Sequence, residues 1–366
     1  MPASSRPDAD RCADDQGAHP RRRARLGAVA AACLAIVGLA ALPACTGAPA
    51  QPIDDARSPA STAPRIPVPR DLQPYAGLGA WVDAFDFAPA YQEGGGEPPL
   101  GPDDVDDMAR RGVKTLFLQA TRWDDKSPEG IVDRERVSAL LRRAHDRGMR
   151  VVGWYLPRLV DVDVDLARSK QILDFDADGD RFDGLAVDIE YTEGEPDPAA
   201  RNANLVAYSQ KLHEQAGGVP IGAVVLSAVH LEVINDRFWP DFPYAALRPF
   251  YAVWMPMAYW TLRTGQYRDP YAYVTESVQR LRANLGEPPV VVAAAGGIAD
   301  ESTDADLASF AKAVKDSGSI GGSIYDWATM APEKQALLQR LFGTGPASSL
   351  PTVPPSTTTT TTTTTG

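Results

Sequence analysis

The chain has 366 residues, with 36 Lys and Arg against 48 Asp and Glu, a net charge of −12, and three cysteines. An acidic balance of this size argues against nucleic acid and anionic lipid surfaces as partners. The cysteines, at 12, 33 and 45, all fall near the start, so no disulfide is available to a domain that follows them. Stability must come from an apolar core, and the roughly 270 residues between two low-complexity ends suffice for a single large α/β domain.

In chain order, the first element is an export signal. Arginines at 21–25 precede an apolar run at 26–42, and Leu42-Pro43-Ala44-Cys45 resembles a bacterial lipobox. Residues 1–44 are expected to be removed, leaving Cys45 to carry the lipid that holds an exported chain on the outer face of the cell membrane. An uncleaved N-terminal anchor is the alternative, and it too exports the chain. Residues 1–44 contain six Arg and four Asp, which leaves 30 basic against 44 acidic residues, a net of −14. That charge is compatible with a neutral polysaccharide partner. Residues 46–73 read as a Pro-rich linker, and residues 345–366, ending in a Thr tract, as a disordered Pro/Ser/Thr tail.

Residues 74–344 alternate strand and helix signals. Apolar, β-prone runs occur at 79–87, 113–121, 150–157, 184–190, 221–229, 251–259, 290–295 and 320–327. Helical periodicity fills 133–147, where Val137, Leu140, Leu141 and Ala144 form the stripe and Gly148 ends it. Residues 197–215, 270–285, 303–316 and 332–341 behave alike, whereas 236–250 is irregular and rich in Pro and aromatics. Eight such strands predict a (β/α)8 TIM barrel, ahead of a doubly wound open sheet. No Gly-x-Gly-x-x-Gly follows the first strand and no P-loop occurs, so no nucleotide or other cofactor is expected.

In a barrel of this kind the site lies at the C-terminal strand ends. The fourth strand is the most informative. Residues two apart on a strand share a face, so Ala186, Asp188 and Glu190 line one side while Leu185, Val187 and Ile189 form an apolar other side. Two carboxylates at the tip of a hydrophobic strand suggest acid–base chemistry. Other strand ends offer Asp83 and Asp86, Gln119, Arg122 and Trp123, Trp154, Tyr155 and Arg158, Tyr191, Tyr259 and Trp260, and Asp326 and Trp327. The seventh offers only Gly296 and Gly297. Asp83, Asp86, Gln119, Arg122, Tyr155, Trp260, Asp326 and Trp327 are taken as substrate-binding candidates, since rings stack on sugar faces and polar groups take hydroxyls. His230 reads as structural or solvated. Asp174, Asp176, Asp178 and Asp180 mimic the start of a calcium loop, but its twelfth position is Leu185, so a solvated turn is expected. There is no metal-spaced His/Cys cluster and no Gly-x-Ser-x-Gly elbow, so neither a metal nor a triad is expected.

The segment Asp183-Gly184-Leu185-Ala186-Val187-Asp188-Ile189-Glu190 resembles the Asp-Gly-x-Asp-x-Asp-x-Glu motif of family 18 glycoside hydrolases, with Ala186 in place of the middle Asp. Met257-Ala258-Tyr259-Trp260 is similar to that family's Met-x-Tyr-Asp, with Trp260 in place of Asp, and Trp327 sits where the family keeps a pocket-floor Trp. A weaker resemblance is to family 25 lysozyme-like hydrolases, in which an early-strand Asp, here Asp83 or Asp86, joins a fourth-strand Asp-x-Glu. The family 18 resemblance implies that Glu190 protonates the leaving oxygen, Asp188 stabilises developing positive charge and Tyr259 positions an N-acetyl group. Asp188 and Glu190 lie about 7 Å apart along one wall and do not straddle a substrate, which favours a retaining, substrate-assisted reaction. The implied substrate is an N-acetylated polysaccharide such as peptidoglycan or a chitin-like polymer. Ala186 and Trp260 keep open a second reading, a carbohydrate-binding lipoprotein with little or no turnover.

Overall fold

A computed structural model describes residues 70–127 and 130–343. The expected signal segment, Cys45, linker residues 46–69 and the 345–366 tail lie outside the described residues. Eight parallel strands close into a barrel in sequence order: β1 (Gly77–Val82), β2 (Thr115–Gln119), β3 (Arg150–Tyr155), β4 (Gly184–Ile189), β5 (Ile221–Leu226), β6 (Val253–Met257), β7 (Ala293–Ile298) and β8 (Gly321–Tyr325). Closure is made by β1 on β8, with Gly77 opposite Gly321 and Ala80 opposite Ile324. The expected (β/α)8 architecture is the observed one.

The helices are α1 (Ala84–Phe87), α2 (Pro102–Arg110), α3 (Arg134–Asp146), α4 (Val162–Leu173), α5 (Pro198–Gln215), α6 (Tyr244–Leu247), α7 (Pro270–Leu285), α8 (Asp304–Asp316) and α9 (Pro332–Gly343). Carboxylates start many of them. Asp133 accepts from the Arg136 N–H at 3.0 Å, Asp161 from two N–H groups of α4, and Asp269 from Ala272 N–H at 2.7 Å. The crossover from β5 to β6 has no full helix. A single π turn (His230–Ile234), the one-turn α6 and a 3-10 turn (Arg248–Phe250) take its place. Trp239, Phe242, Tyr244 and Tyr251 from this stretch are buried, so aromatic bulk covers the strands where a helix would. That is why its sequence shows no helical period.

The bottom of the barrel is sealed by Tyr75, from a 3-10 turn at Arg70–Tyr75. Its hydroxyl lies 2.8 Å from the Leu185 carbonyl and 2.9 Å from that of Pro220. Gly184 and Gly222 make room for the ring, since a Cβ on either would meet Tyr75 at 2.9 and 2.8 Å. Leu72 is also buried, so the packed domain reaches back into what reads in sequence as linker. Above the seal, Trp81 stacks on Phe117 at 4.5 Å, meets Trp154 edge-on at 5.9 Å and donates to Ser323 Oγ at 2.8 Å. These side chains fill the barrel interior and form the floor on which the strand ends stand.

The acidic loop before β4 is a turn. Asp176 accepts from Gly179 N–H and pairs with Arg181, Asp178 pairs with Arg142, Asp174 with Lys170 and Asp180 with His145. Three of these partners, Arg142, His145 and Lys170, come from the helices α3 and α4, and Arg181 from the loop itself. Among the described residues no helix is long and apolar enough to cross a membrane.

Candidate active site

The strand β4 delivers its carboxylates as alternation requires. Leu185, Val187 and Ile189 are at most 1 % exposed against the helical layer. On the inner face, Ala186 is fully buried opposite Trp154 of β3, and Asp188 and Glu190 rise above it to the mouth. Asp188 is part-exposed, whereas Glu190 is 3 % exposed. Neither Asp188 Oδ1 nor Glu190 Oε2 has a hydrogen-bond partner in the protein. Burial without compensating donors disfavours ionisation. The Asp188 carboxyl is pushed up to about 7 by burial. Glu190 is raised well above the usual carboxylate range by burial and then by the negative charge of Asp188. Both carboxyls therefore resist ionisation, and the charge of either one disfavours ionisation of the other, the setting in which one carboxyl can serve as an acid.

Across the mouth, β1, β6 and β8 bring up a second group. Tyr325 donates to Asp83 Oδ2 at 2.7 Å, and the Tyr259 ring lies 6.5 Å from that of Tyr325. Asp83 is the N-cap of α1, accepting from Phe85 N–H at 2.7 Å, while Asp86 returns a bond to Asp83 N–H at 3.0 Å. The predicted first strand, 79–87, thus breaks at Asp83. Asp86 is a buried member of a capping box (1 % exposed) and supports Asp83 from behind.

Several other substrate-binding candidates have partners within the protein. Gln119 Oε1 accepts from Ala84 N–H at 3.0 Å and Arg122 Nη1 at 3.3 Å. Arg122 is paired with Asp124 at 2.7 Å and lies 5.1 Å from the Phe85 and Tyr91 rings. Together they lock the β1 rim to the β2 rim. Tyr155 points the other way: fully buried, it donates to Asp165 Oδ1 of α4 at 2.6 Å. Since Trp154 faces the interior, its neighbour must face the helices, and Tyr155 is therefore not at the mouth. Trp260 is not there either. It is fully buried, 5.3 Å from the Phe310 ring of α8, against Gly296 and Gly297 of β7. The bareness of β7 and the size of Trp260 are one fact, since a Cβ on Gly296 or Gly297 would come within 2.7 and 2.6 Å of the indole. Asp326 accepts from Thr329 N–H at 2.8 Å in the turn after β8. Trp327 is 4 % exposed, and its backbone N–H donates to the Trp81 carbonyl at 3.1 Å.

The structure adds groups that the sequence reading left among its strand ends without a role. Arg158 Cζ lies 4.3 Å from the Trp123 ring and 5.9 Å from that of Tyr191, and the two rings are 6.4 Å apart. All three are part-exposed, and Tyr191 directly follows Glu190. His230 is buried rather than solvated (4 % exposed), edge-on to Phe238 at 5.2 Å, with no protein partner on either ring nitrogen. Burial and then the Arg263 charge lower its pKa to about 4, so it is neutral. Thr121 Oγ1, Arg158 Nε, Asp188 Oδ1, Glu190 Oε2 and the His230 nitrogens are thus polar atoms that the protein leaves unsatisfied beyond four consecutive strand ends. Buried polar atoms normally have partners, and these belong to residues at or just after the C-terminal ends of β2 to β5. Among the described residues, no group of His, Cys, Asp and Glu could hold a metal ion.

No protein-family model matches the sequence, and no curated protein matches it. Comparison with solved structures does find relatives in shape. The C-terminal domain of a putative chitinase from Desulfitobacterium hafniense is similar with a TM-score of 0.52 and 12 % identity, over 73 % of this chain and 99 % of that one. A chitinase from Cycas revoluta in complex with (GlcNAc)4 gives 0.53 and 11 %, over 73 % and 98 %. An endo-β-1,4-mannanase from Thermotoga petrophila gives 0.54 and 10 %, over 74 % and 77 %. At such identities the shared property is the fold: this chain is built on the barrel that these glycoside hydrolases use.

Proposed function

We propose that this protein is a glycoside hydrolase acting on an N-acetylated polysaccharide, peptidoglycan or a chitin-like polymer, at the mouth of its barrel. The observation that carries the reading is the Asp188–Glu190 pair at the end of β4: Glu190 buried and Asp188 part-exposed, each with a buried oxygen that no protein donor meets, and both carboxyls shifted toward their protonated forms. In this reading Glu190 gives its proton to the leaving glycosidic oxygen. The N-acetyl oxygen of the substrate, positioned by Tyr259, attacks the anomeric carbon from the other side, and Asp188 stabilises the positive charge that develops. Water then opens that intermediate with Glu190 acting as base, and configuration is retained. The fold shared with a chitinase that holds (GlcNAc)4 agrees with this substrate class. Export with a lipid on Cys45, tethering the barrel to the outer face of the cell membrane, completes the proposal.

Glu190→Gln keeps the shape and removes the acid. Hydrolysis of peptidoglycan or chitooligosaccharides should fall by about 10²–10⁴-fold with the circular dichroism spectrum unchanged. Activity equal to the parent would sink the assignment. A second reading, carbohydrate binding without turnover, is favoured by Ala186 and Trp260, which stand where the resembled motifs carry Asp. Binding of the same oligosaccharides by the parent protein without release of reducing ends would select it.

A further inference from the structure

We propose that Arg158 recognises a carboxylate on a sugar residue beside the one cleaved, so that the glycan taken at this mouth is acidic rather than neutral. The inference rests on the glycoside-binding reading above and narrows its substrate class. Other arginines of the domain find acceptors: Arg122, Arg143 and Arg150 pair with carboxylates, while Arg168, Arg248 and Arg282 donate to backbone carbonyls. Arg158 forms no ion pair among the described residues, and its buried Nε has no acceptor. It is nevertheless held in place. Its own backbone N–H is bound by Asp165 at 3.1 Å, and its guanidinium is fixed against Trp123 and Tyr191 at 4.3 and 5.9 Å. A guanidinium positioned by aromatic rings with free N–H donors is a preorganised fork for a carboxylate. A sugar hydroxyl would satisfy one donor and leave the charge unmet.

The placement fits the chemistry. Trp123 follows β2, Arg158 follows β3 and Tyr191 follows Glu190 on β4, so the cluster sits on the mouth one strand to the side of the acid. The part-exposed rings of Trp123 and Tyr191 offer apolar faces to the same ligand. The net charge of the chain repels polyanions at long range, so recognition of an acidic glycan requires a local cation, and Arg158, without an ion pair among the described residues, stands against Tyr191, the residue after Glu190.

The test uses three ligands: a peptide-free peptidoglycan tetrasaccharide, whose alternate residues carry a lactyl carboxylate; the same molecule with that carboxylate reduced to an alcohol; and chitotetraose. Binding is measured by calorimetry and hydrolysis by reducing ends, in the parent, Arg158→Gln and Arg158→Lys, with thermal melts to confirm folding. The parent should bind the acidic ligand about 10- to 100-fold more tightly than the two neutral ones. Arg158→Gln should abolish that preference, weaken the acidic ligand far more than the two neutral ones and act on KM rather than kcat. Arg158→Lys should keep part of the preference. Equal affinity for acidic and neutral ligands in the parent overturns the inference, as does an equal loss on all three in Arg158→Gln. Preference without hydrolysis by the parent upholds the inference and overturns the hydrolase reading. Hydrolysis without preference does the reverse, and neither binding nor hydrolysis overturns both.

Discussion

Glu190 is a side chain whose ordinary state the fold works against. With 3 % exposure, an oxygen no protein donor meets and Asp188 beside it, it is held neutral where a solvated glutamate would be ionised. The consequence for stability has a definite sign. Both carboxyls have folded-state values raised above their unfolded ones, so the folded chain binds more protons, and stability falls as pH rises from about 4 through the raised folded values. Glu190→Gln removes part of that burden. It should raise the unfolding free energy at pH 8 by about 0.5–2 kcal/mol and little at pH 4, read from denaturant melts at the two pH values. The coupling is testable on its own. In Asp188→Asn, a carboxyl titration of Glu190 followed by NMR should move down, because the neighbouring charge is gone. A Glu190 titration that stays put would leave burial as its sole cause.

At the scale of elements, the exchange between β7 and Trp260 explains why the seventh strand has no side chains to offer. Gly297→Ala places a Cβ 2.6 Å from the indole and should cost about 1–3 kcal/mol. Trp260→Leu in the same chain should recover part of that loss, and a double-mutant cycle reads the coupling. Additive costs would mean that the two do not compete for space. The barrel itself was legible in the sequence, because buried parallel strands and amphipathic helices have strong periods. The site was legible in part. Alternation alone put Asp188 and Glu190 on one face, and the same rule, applied from Trp154, would have turned Tyr155 toward the helices. Gln119 and Arg122 were not separable from ligand-binding groups by type, because a buried amide and a paired guanidinium read the same as free ones. What distinguishes Arg158 from Arg122 is the lack of a carboxylate partner among the described residues, which is a property of three dimensions. The break after Asp83 was masked by the apolar residues of α1, which extend the β-like run across a helix start.

At the scale of the whole molecule, the end of the barrel opposite the mouth carries a paired charge cluster. His145 lies between Asp180 at 2.7 Å and Asp183 at 3.0 Å, with Arg150 on Asp183 at 2.9 Å. Asp183, the first acid of the β4 motif, therefore ties helix α3 to the start of β3, where it also accepts from Val151 N–H. Its bonds to His145 raise the imidazole pKa, and its own is lowered by His145 and by the Val151 N–H, against the burial that would raise it. A raised histidine contributes stability that is complete below its unfolded value near about 6.5 and is lost as pH rises through the folded one. A lowered aspartate contributes stability that is lost as pH falls below about 4. His145→Gln should therefore flatten the decline of the melting temperature above pH 6.5, and an unchanged slope would show that the imidazole is not protonated in the fold.

The Tyr75 seal has a mechanical meaning as well. It is the point where the chain enters the barrel, two residues before β1, and its hydroxyl bridges carbonyls at the feet of β4 and β5 on the far side of the ring. Force arriving along the chain ahead of Arg70 would load β1 in shear against both its neighbours, β2 and β8, whose ladders must slip together for the strand to leave. The carboxylate-bearing end of β4 lies at the opposite rim, out of that load path. A barrel held by its N-terminal side could be dragged against an unyielding polymer without its carboxylates changing place.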